Sequence, residues 1–322
     1  MKILNLFVFG LFFTSVFSQK PVSIIFDTDI GPDYDDVGAM ALLHAFADKG
    51  ECNILATMAS NKHSKIAAVL DILNTYFNRP DLPIGVLRGK GVNEGASQKW
   101  DSLIVSKYPC NIKSNDQAED AITLYRKILA AQPDHSVTIV TVGFLTNMAN
   151  LLNSQPDEIS PLSGKELISN KVKQLVSMAG GFPNFKEFNV HMDAAASKNV
   201  FENWTTPILL SGFEIGNKIF TGLPLIKSKI ENSPIKDVFA HSIPQSEEDK
   251  NGRKSWDQTA VLVAVRGYEK YYTVMPGKMI CNEDGSNAWN NKDSGHFYLV
   301  EKKSVKKMTK IINRLMLHQP KK

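Results

Sequence analysis

Residues 27–36 read Asp27-Thr28-Asp29-Ile30-Gly31-Pro32-Asp33-Tyr34-Asp35-Asp36 and put five carboxylates into ten positions. The run directly follows an apolar stretch, Val22-Ser23-Ile24-Ile25-Phe26. Carboxylates this dense repel one another and destabilise a fold unless a cation, a proton or a set of hydrogen-bond donors holds them. A solvated acidic loop would tolerate the crowding, but such a loop rarely sits at the tip of a buried strand. The run is therefore a candidate site, and its chemistry is that of a hard cation. Calcium and magnesium prefer carboxylate oxygens, backbone carbonyls and water, and no His/Cys cluster offers a zinc or iron alternative.

Three arrangements compete for these residues. An EF-hand loop counted from Asp27 requires Gly at the sixth position and Glu at the twelfth, and Gly38 stands at the twelfth. A haloacid-dehalogenase-type phosphatase carries Asp-x-Asp-x-Thr/Val after a strand. Asp27-Thr28-Asp29 begins that way, but Gly31 stands where Thr or Val is wanted, and no catalytic Lys motif follows. The third arrangement draws on the whole chain. Asp29, Gly31, Asp35 and Asp36 form Asp-x-Gly followed closely by Asp-Asp at a helix start. Ser60-Asn61 follows the second apolar run, and Val142-Gly143-Phe144-Leu145-Thr146-Asn147 follows a later one. Met178-Ala179-Gly180-Gly181 precedes Glu187-Phe188-Asn189 and Asp193-Ala194-Ala195-Ala196, and Trp256-Asp257-Gln258-Thr259-Ala260 comes late. In this order, over roughly residues 22 to 300, the chain resembles the nucleoside-hydrolase family.

That resemblance implies an open α/β sheet, one calcium ion, and hydrolysis of the N-glycosidic bond of ribonucleosides to ribose and free base. Carried over by position, Asp29, Asp36 and Asp257 would ligate calcium, with the Val142 carbonyl as a further ligand. Asp29 would be the catalytic residue that activates the calcium-bound water. Asp35, Asn61, Asn184, Glu187 and Asn189 would bind ribose hydroxyls, the segment around Asn184 being shorter than the common form. Asp27 would support the site from behind, and Asp33 has no assigned role. The chemistry suits such a site. Cleavage builds positive charge on the sugar, which surrounding carboxylates stabilise. A metal ion makes water acidic enough to supply a nucleophile near neutral pH.

One position departs from the family. Many members place His immediately before the late metal-binding Asp, and here that residue is Trp256. An indole donates one hydrogen bond but is no general acid near neutral pH. The leaving base then needs another kind of help, such as stacking on Trp256. His241 and His296 are candidate replacements. The departure keeps open a second function class, a calcium-holding nucleoside or ribose binder without turnover.

The elements that must carry these residues alternate between two patterns. Short apolar runs at Val22–Phe26, Asn53–Met58, Ile84–Leu87, Val137–Thr141, Gln174–Met178 and Ile208–Leu210 predict strands. Helical spacing predicts helices over Asp36–Asp48, Ser64–Phe77, Asp116–Ala131, Leu145–Leu152, Thr259–Val265 and Val305–Met316. Continuously apolar strands separated by helices give an α/β class, an open, mainly parallel Rossmann-like sheet with helices on both faces. Ligands of such sheets bind beyond the carboxyl ends of the strands, and the aspartate run, Ser60-Asn61 and Val142-Gly143 all follow strands. Arg88–Trp100 and His241–Ser255 are the two long polar segments.

At 322 residues, with no linker and no internal repeat, the chain is expected to form an N-terminal leader, 1–18, and a single domain, 19–322. Lys2, the apolar stretch Ile3–Phe17 and Ser18 have the layout of a secretory signal peptide, which predicts a periplasmic or secreted protein with no membrane attachment after cleavage. A net charge of +4 without basic-aromatic interleaving argues against nucleic acid as a partner. The expected partner is a small nucleoside, and a homo-oligomer is compatible with the sequence. Cys52, Cys110 and Cys281 are scattered and odd in number, so no disulfide is expected.

Overall fold

The computed structural model describes residues 20–320, so the leader lies outside the described residues. Thirteen strands form: β1 Val22–Thr28, β2 Cys52–Ala59, β3 Ile84–Val86, β4 Glu119–Asp120, β5 Val137–Thr141, β6 Val172–Met178, β7 Asn184–Phe185, β8 Ile208–Ser211, β9 Phe220–Thr221, β10 Arg253–Lys254, β11 Tyr272–Cys281, β12 Asn287–Asn290 and β13 His296–Glu301. Eleven of them make one sheet in the order β4-β3-β2-β1-β5-β6-β8-β13-β11-β12-β7, and β9 and β10 pair separately. Pairing is parallel from β4 across to β13, then antiparallel through β11, β12 and β7.

Period-2 alternation explains how β1 serves two faces. Ile24 and Phe26 join one buried cluster, with Val37, Met40 and Leu262. Ile25 joins the other, with Tyr125 and Met148. Both faces of the sheet are therefore dry, which is why the parallel strands are continuously apolar. The same alternation sends Asp27 toward the Tyr125 side and Thr28 toward the opposite one. β1 pairs with β2 on one side and β5 on the other. The strand order reverses at that point, which in open α/β sheets is where ligands bind.

Helices Asp35–Asp48, Ile66–Tyr76, Thr146–Asn153 and Val305–Met316 lie within a residue or two of the expected segments, and Trp256–Arg266 starts three residues before the expected Thr259. The helix expected from Asp116 starts only at Ala121. There the Asp120 carboxylate caps it, accepting from Thr123 N at 2.8 Å, while residues 119 and 120 extend to pair with β3. The antiparallel arm of β11, β12 and β7 has no counterpart among the apolar runs of the sequence. β11 alternates irregularly between buried and exposed positions, so no continuous apolar run announces it. The segment His241–Ser255 contains the end of helix Pro234–Ser242, two short 3-10 turns and β10. No described helix is long and apolar enough to cross a membrane, and all three cysteines are free thiols.

Candidate active site

At the tip of β1, successive aspartates take different environments. Asp27 is buried beneath the site. Its carboxylate accepts from Tyr125 Oη at 2.8 Å and Asn147 Nδ2 at 2.9 Å. Burial pushes its carboxyl up to about 6, against those hydrogen bonds. Thr28 projects to the other face, where its hydroxyl donates to Asp36. Asp29 leaves the strand between Gly143 and Asn61. The Asn61 amide donates to the Asp29 carbonyl at 2.9 Å and the Glu94 carbonyl at 2.7 Å, and its oxygen accepts from His63 N and Glu94 N at 3.1 Å each. Asn61 thus pins the main chain of Asp29 to the polar segment that begins at Arg88.

Two helix N-termini meet at this edge. Asp35 and Asp36 open helix Asp35–Asp48, and Asp257 is the second residue of helix Trp256–Arg266. Helix N-termini carry free N–H groups and partial positive charge, a good setting for carboxylates. Carboxylate oxygens of Asp35, Asp36 and Asp257 all lie within 4.8 Å of one another. Asp35 is already engaged. Its Oδ2 accepts from Trp256 N at 3.1 Å and Asp257 N at 3.3 Å, and its Oδ1 accepts from Arg253 Nε at 3.2 Å and Nη2 at 3.0 Å. Arg253 also pairs with Asp33 at 2.5 Å and approaches Asp249 at 3.8 Å. Its guanidinium lies 5.0 Å over the Tyr34 ring and 5.2 Å over Trp256. Asp33, left without a role by the sequence, is the outer counter-ion of this arginine.

A cavity of about 230 Å³ opens above these groups. It is lined by Asp29, Asp33, Asp35, Asp36 and Asp257, by Val142, Met178, Glu187 and Asn189, and by Phe185, Lys186, Phe188, His191, Phe213 and Trp256. Glu187 caps helix Phe188–Met192 by accepting from Asn189 N at 2.9 Å and Val190 N at 3.2 Å, and it also accepts from Gly180 N at 3.2 Å. Its burial outweighs those bonds and raises the carboxyl to about 7. The Asn189 amide donates to the Val142 carbonyl at 3.1 Å and the Met178 carbonyl at 3.2 Å. Phe185, Phe213 and Trp256 stack in series, with centroids 4.7 and 5.3 Å apart. The Trp256 indole N–H donates to the Phe213 carbonyl at 2.8 Å, so the indole presents its π surface rather than its donor.

The structure thus gathers Asp29, Asp35, Asp36, Val142, Glu187, Asn189, Trp256 and Asp257 around one cavity. Asn61 and Asn184 lie outside its lining: Asn61 is buried behind Asp29, and Asn184 is exposed on β7. Asp27, the nucleophile position of a haloacid-dehalogenase-type phosphatase, also lies outside the lining. Neither His241 nor His296 lines the cavity. His241 Nε2 donates to the Gln98 carbonyl at 2.8 Å. His296 is buried, accepts from Met279 N through Nδ1, and is lowered to about 4 by burial. The histidine that does line the cavity is His191. It follows the capping Glu187 by four residues, which brings its Nδ1 to the Glu187 carbonyl oxygen. Phe213 and Arg253 gave no local signal.

Burial holds the carboxyls of Asp29, Asp36 and Asp257 well above the usual range, and repulsion among the aspartates adds to it. Among the described residues, no donor from another residue reaches the Asp29 or Asp257 carboxylate. Arg253 neutralises Asp35 and Asp33 but none of these three. Buried hard oxygens lacking donors fit a divalent cation, and the Val142 carbonyl, with a second lone pair beyond Asn189, fits the same set.

Comparison with known proteins agrees in extent and in fold. The family model described as inosine-uridine preferring nucleoside hydrolase matches residues 24–311. A pyrimidine-specific ribonucleoside hydrolase of Salmonella paratyphi C is 28% identical over 214 residues, 61% of this chain and 61% of that protein. The chain therefore spans about three-fifths of the length of such relatives. An inosine-uridine preferring nucleoside hydrolase of Crithidia fasciculata is 22% identical over 229 residues, 67% of this chain and 68% of that one. A solved plant nucleoside hydrolase superposes with a TM-score of 0.72 at 19% identity, covering 92% of this chain and 99% of that one. This last likeness establishes the shared α/β fold.

Proposed function

Because the chain belongs to the inosine-uridine preferring nucleoside hydrolase family, we propose that it hydrolyses the N-glycosidic bond of ribonucleosides to ribose and free base. The observation that carries this reading is one cavity lined both by buried carboxylates and by stacked aromatic rings. Carboxylates suit a sugar that gains positive charge, and aromatic faces suit a planar base.

In this reading Asp29, Asp36, Asp257 and the Val142 carbonyl hold calcium. When bound, the ion supplies positive charge that keeps the aspartates ionised and makes nearby water more acidic. Asp29 accepts the proton of the attacking water. Glu187 and Asn189 hold ribose hydroxyls, with Asp35 at the same rim, its orientation set by Arg253. Asn61 acts indirectly, by fixing Asp29. Asn184 joins the sugar only if β7 moves. Holding the anomeric carbon against the water is an orientation effect worth several kcal/mol. Trp256 contributes stacking to the departing base.

The test is incubation of the mature protein, calcium-loaded, with a panel of ribonucleosides and an assay for reducing sugar. Release of ribose from at least one is expected, and none from any would sink the catalytic reading. The Trp256 departure supports the alternative of a nucleoside or ribose binder without turnover, which calorimetry would reveal as tight binding with no product. The leader-like residues 1–18 support a periplasmic or secreted location. Export predicts a mature N-terminus at Gln19 or Lys20, and an intact Met1 on the exported protein would refute cleavage.

A further inference from the structure

We propose that His191 is the proton donor to the departing base, the task that Trp256 cannot perform. The proposal rests on the hydrolase reading and adds to it a residue for the leaving group. Trp256 is excluded by geometry as well as chemistry, since its only side-chain N–H is spent on the Phe213 carbonyl at 2.8 Å. His191 lines the same cavity as the carboxylates and the stacked aromatic rings. Its Nδ1 lies 3.0 Å from the Glu187 carbonyl oxygen. A carbonyl oxygen only accepts, so Nδ1 carries a hydrogen. The ring is further steadied edge-on against Phe188, with centroids 5.7 Å apart, and the turn at Gly285 packs on the His191 main chain. Nε2, on the opposite edge of the ring, has no hydrogen-bond partner among the described residues. An imidazole with one nitrogen anchored and the other unpaired at a cavity wall is arranged to hand over a proton.

The step balances as follows. The water oxygen forms a bond to the anomeric carbon and gives its proton to Asp29. The bond from that carbon to the base breaks, and its electron pair goes to the base. The Nε2 proton of the imidazolium passes to a ring nitrogen or exocyclic oxygen of the base, which leaves neutral. Solvent then restores the proton to Nε2 and removes the one held by Asp29.

The experiment compares two substrates in the full-length mature protein: uridine or inosine, whose bases need a proton to leave, and p-nitrophenyl riboside, whose nitrophenolate leaves without one. His191→Gln and His191→Ala are each expected to lose on the order of 10²-fold or more in kcat on the nucleoside, with a far smaller loss on the nitrophenyl riboside. Equal losses on both substrates, or a change in KM alone, would show a sugar-binding or structural role and overturn the proposal. Full nucleoside turnover by His191→Gln would also overturn it. If the wild-type protein hydrolyses neither substrate, the hydrolase reading falls and this assignment with it. If it hydrolyses both and the variants do not separate them, only the assignment falls.

Discussion

Gly143 and Asp29 are in backbone contact: a Cβ on Gly143 would collide with the main-chain nitrogen of Asp29 and crowd its carboxylate. β1 and β5 run side by side, and their two exits must pass through this narrow gap. Because the obstacle is backbone, no side-chain rotation relieves it. We predict that Gly143→Ala displaces Asp29, destabilises the fold by about 1–3 kcal/mol and weakens calcium binding at least tenfold. Calorimetric titration with calcium checks this; an unchanged affinity would mean that the gap does not position Asp29.

Arg253 is the counter-charge that lets Asp33 and Asp35 coexist beside the other aspartates. Removing one partner of a buried ion pair costs about 3–5 kcal/mol. Arg253→Met should therefore lower the unfolding free energy by about 3–5 kcal/mol, seen as a lower urea midpoint. Arg253→Lys should recover only part, because a single ammonium cannot span both carboxylates as a guanidinium does. A midpoint for Arg253→Met equal to wild type would show that the bridge adds no stability.

Asp29→Asn should abolish ribonucleoside turnover while leaving the fold intact. Burial already disfavours the charged form of Asp29, so in excess chelator the variant should melt no lower than wild type. A full rate in Asp29→Asn would remove Asp29 as the base. A much lower melting temperature in chelator would show that its carboxylate has a structural partner.

Calcium should raise the melting temperature, because a ligand that binds only the native state stabilises it, by about 2.7 kcal/mol at one hundred times Kd. Chelation should reverse this and stop activity. Calorimetric scans with calcium, with magnesium and with chelator make the comparison. Identical scans in all three would rule out a cation in the aspartate group.

His44 lies far from the cation site, on the helix that Asp35 opens. It stacks on Phe77 with centroids 4.6 Å apart, and its Nε2 donates to Asn74 at 3.1 Å. Burial, reinforced by the neighbouring Arg79 charge, lowers it from 6.5 to about 3. A depressed pKa means stability that is complete above pH 6.5 and is lost as pH falls toward 3, by on the order of 5 kcal/mol at most. His44→Gln should flatten the decline in stability across that window. A slope matching wild type would assign the acid sensitivity to other groups.

The sequence by itself determined the parts whose signals are local. Continuous apolar runs located β1, β2, β3, β5, β6 and β8, and helical spacing located the helices Asp35–Asp48 and Val305–Met316 to within a residue. The density of aspartates marked the site, because crowded carboxylates after a buried strand need a counter-charge wherever they lie. Tertiary structure decided which carboxylate receives which partner. Arg253 reaches Asp35 across 218 residues, a pairing that exists only because β10 and the start of helix Trp256–Arg266 are carried to the tip of β1. The same packing buried Asn61 behind Asp29, turned the Trp256 N–H away from the cavity, and chose His191 over His241 and His296. Residue type and spacing act over a few positions, whereas charge compensation and proton delivery depend on distances of about 3 Å between segments far apart in the chain. That is why five aspartates could be found in the sequence but told apart only in the fold.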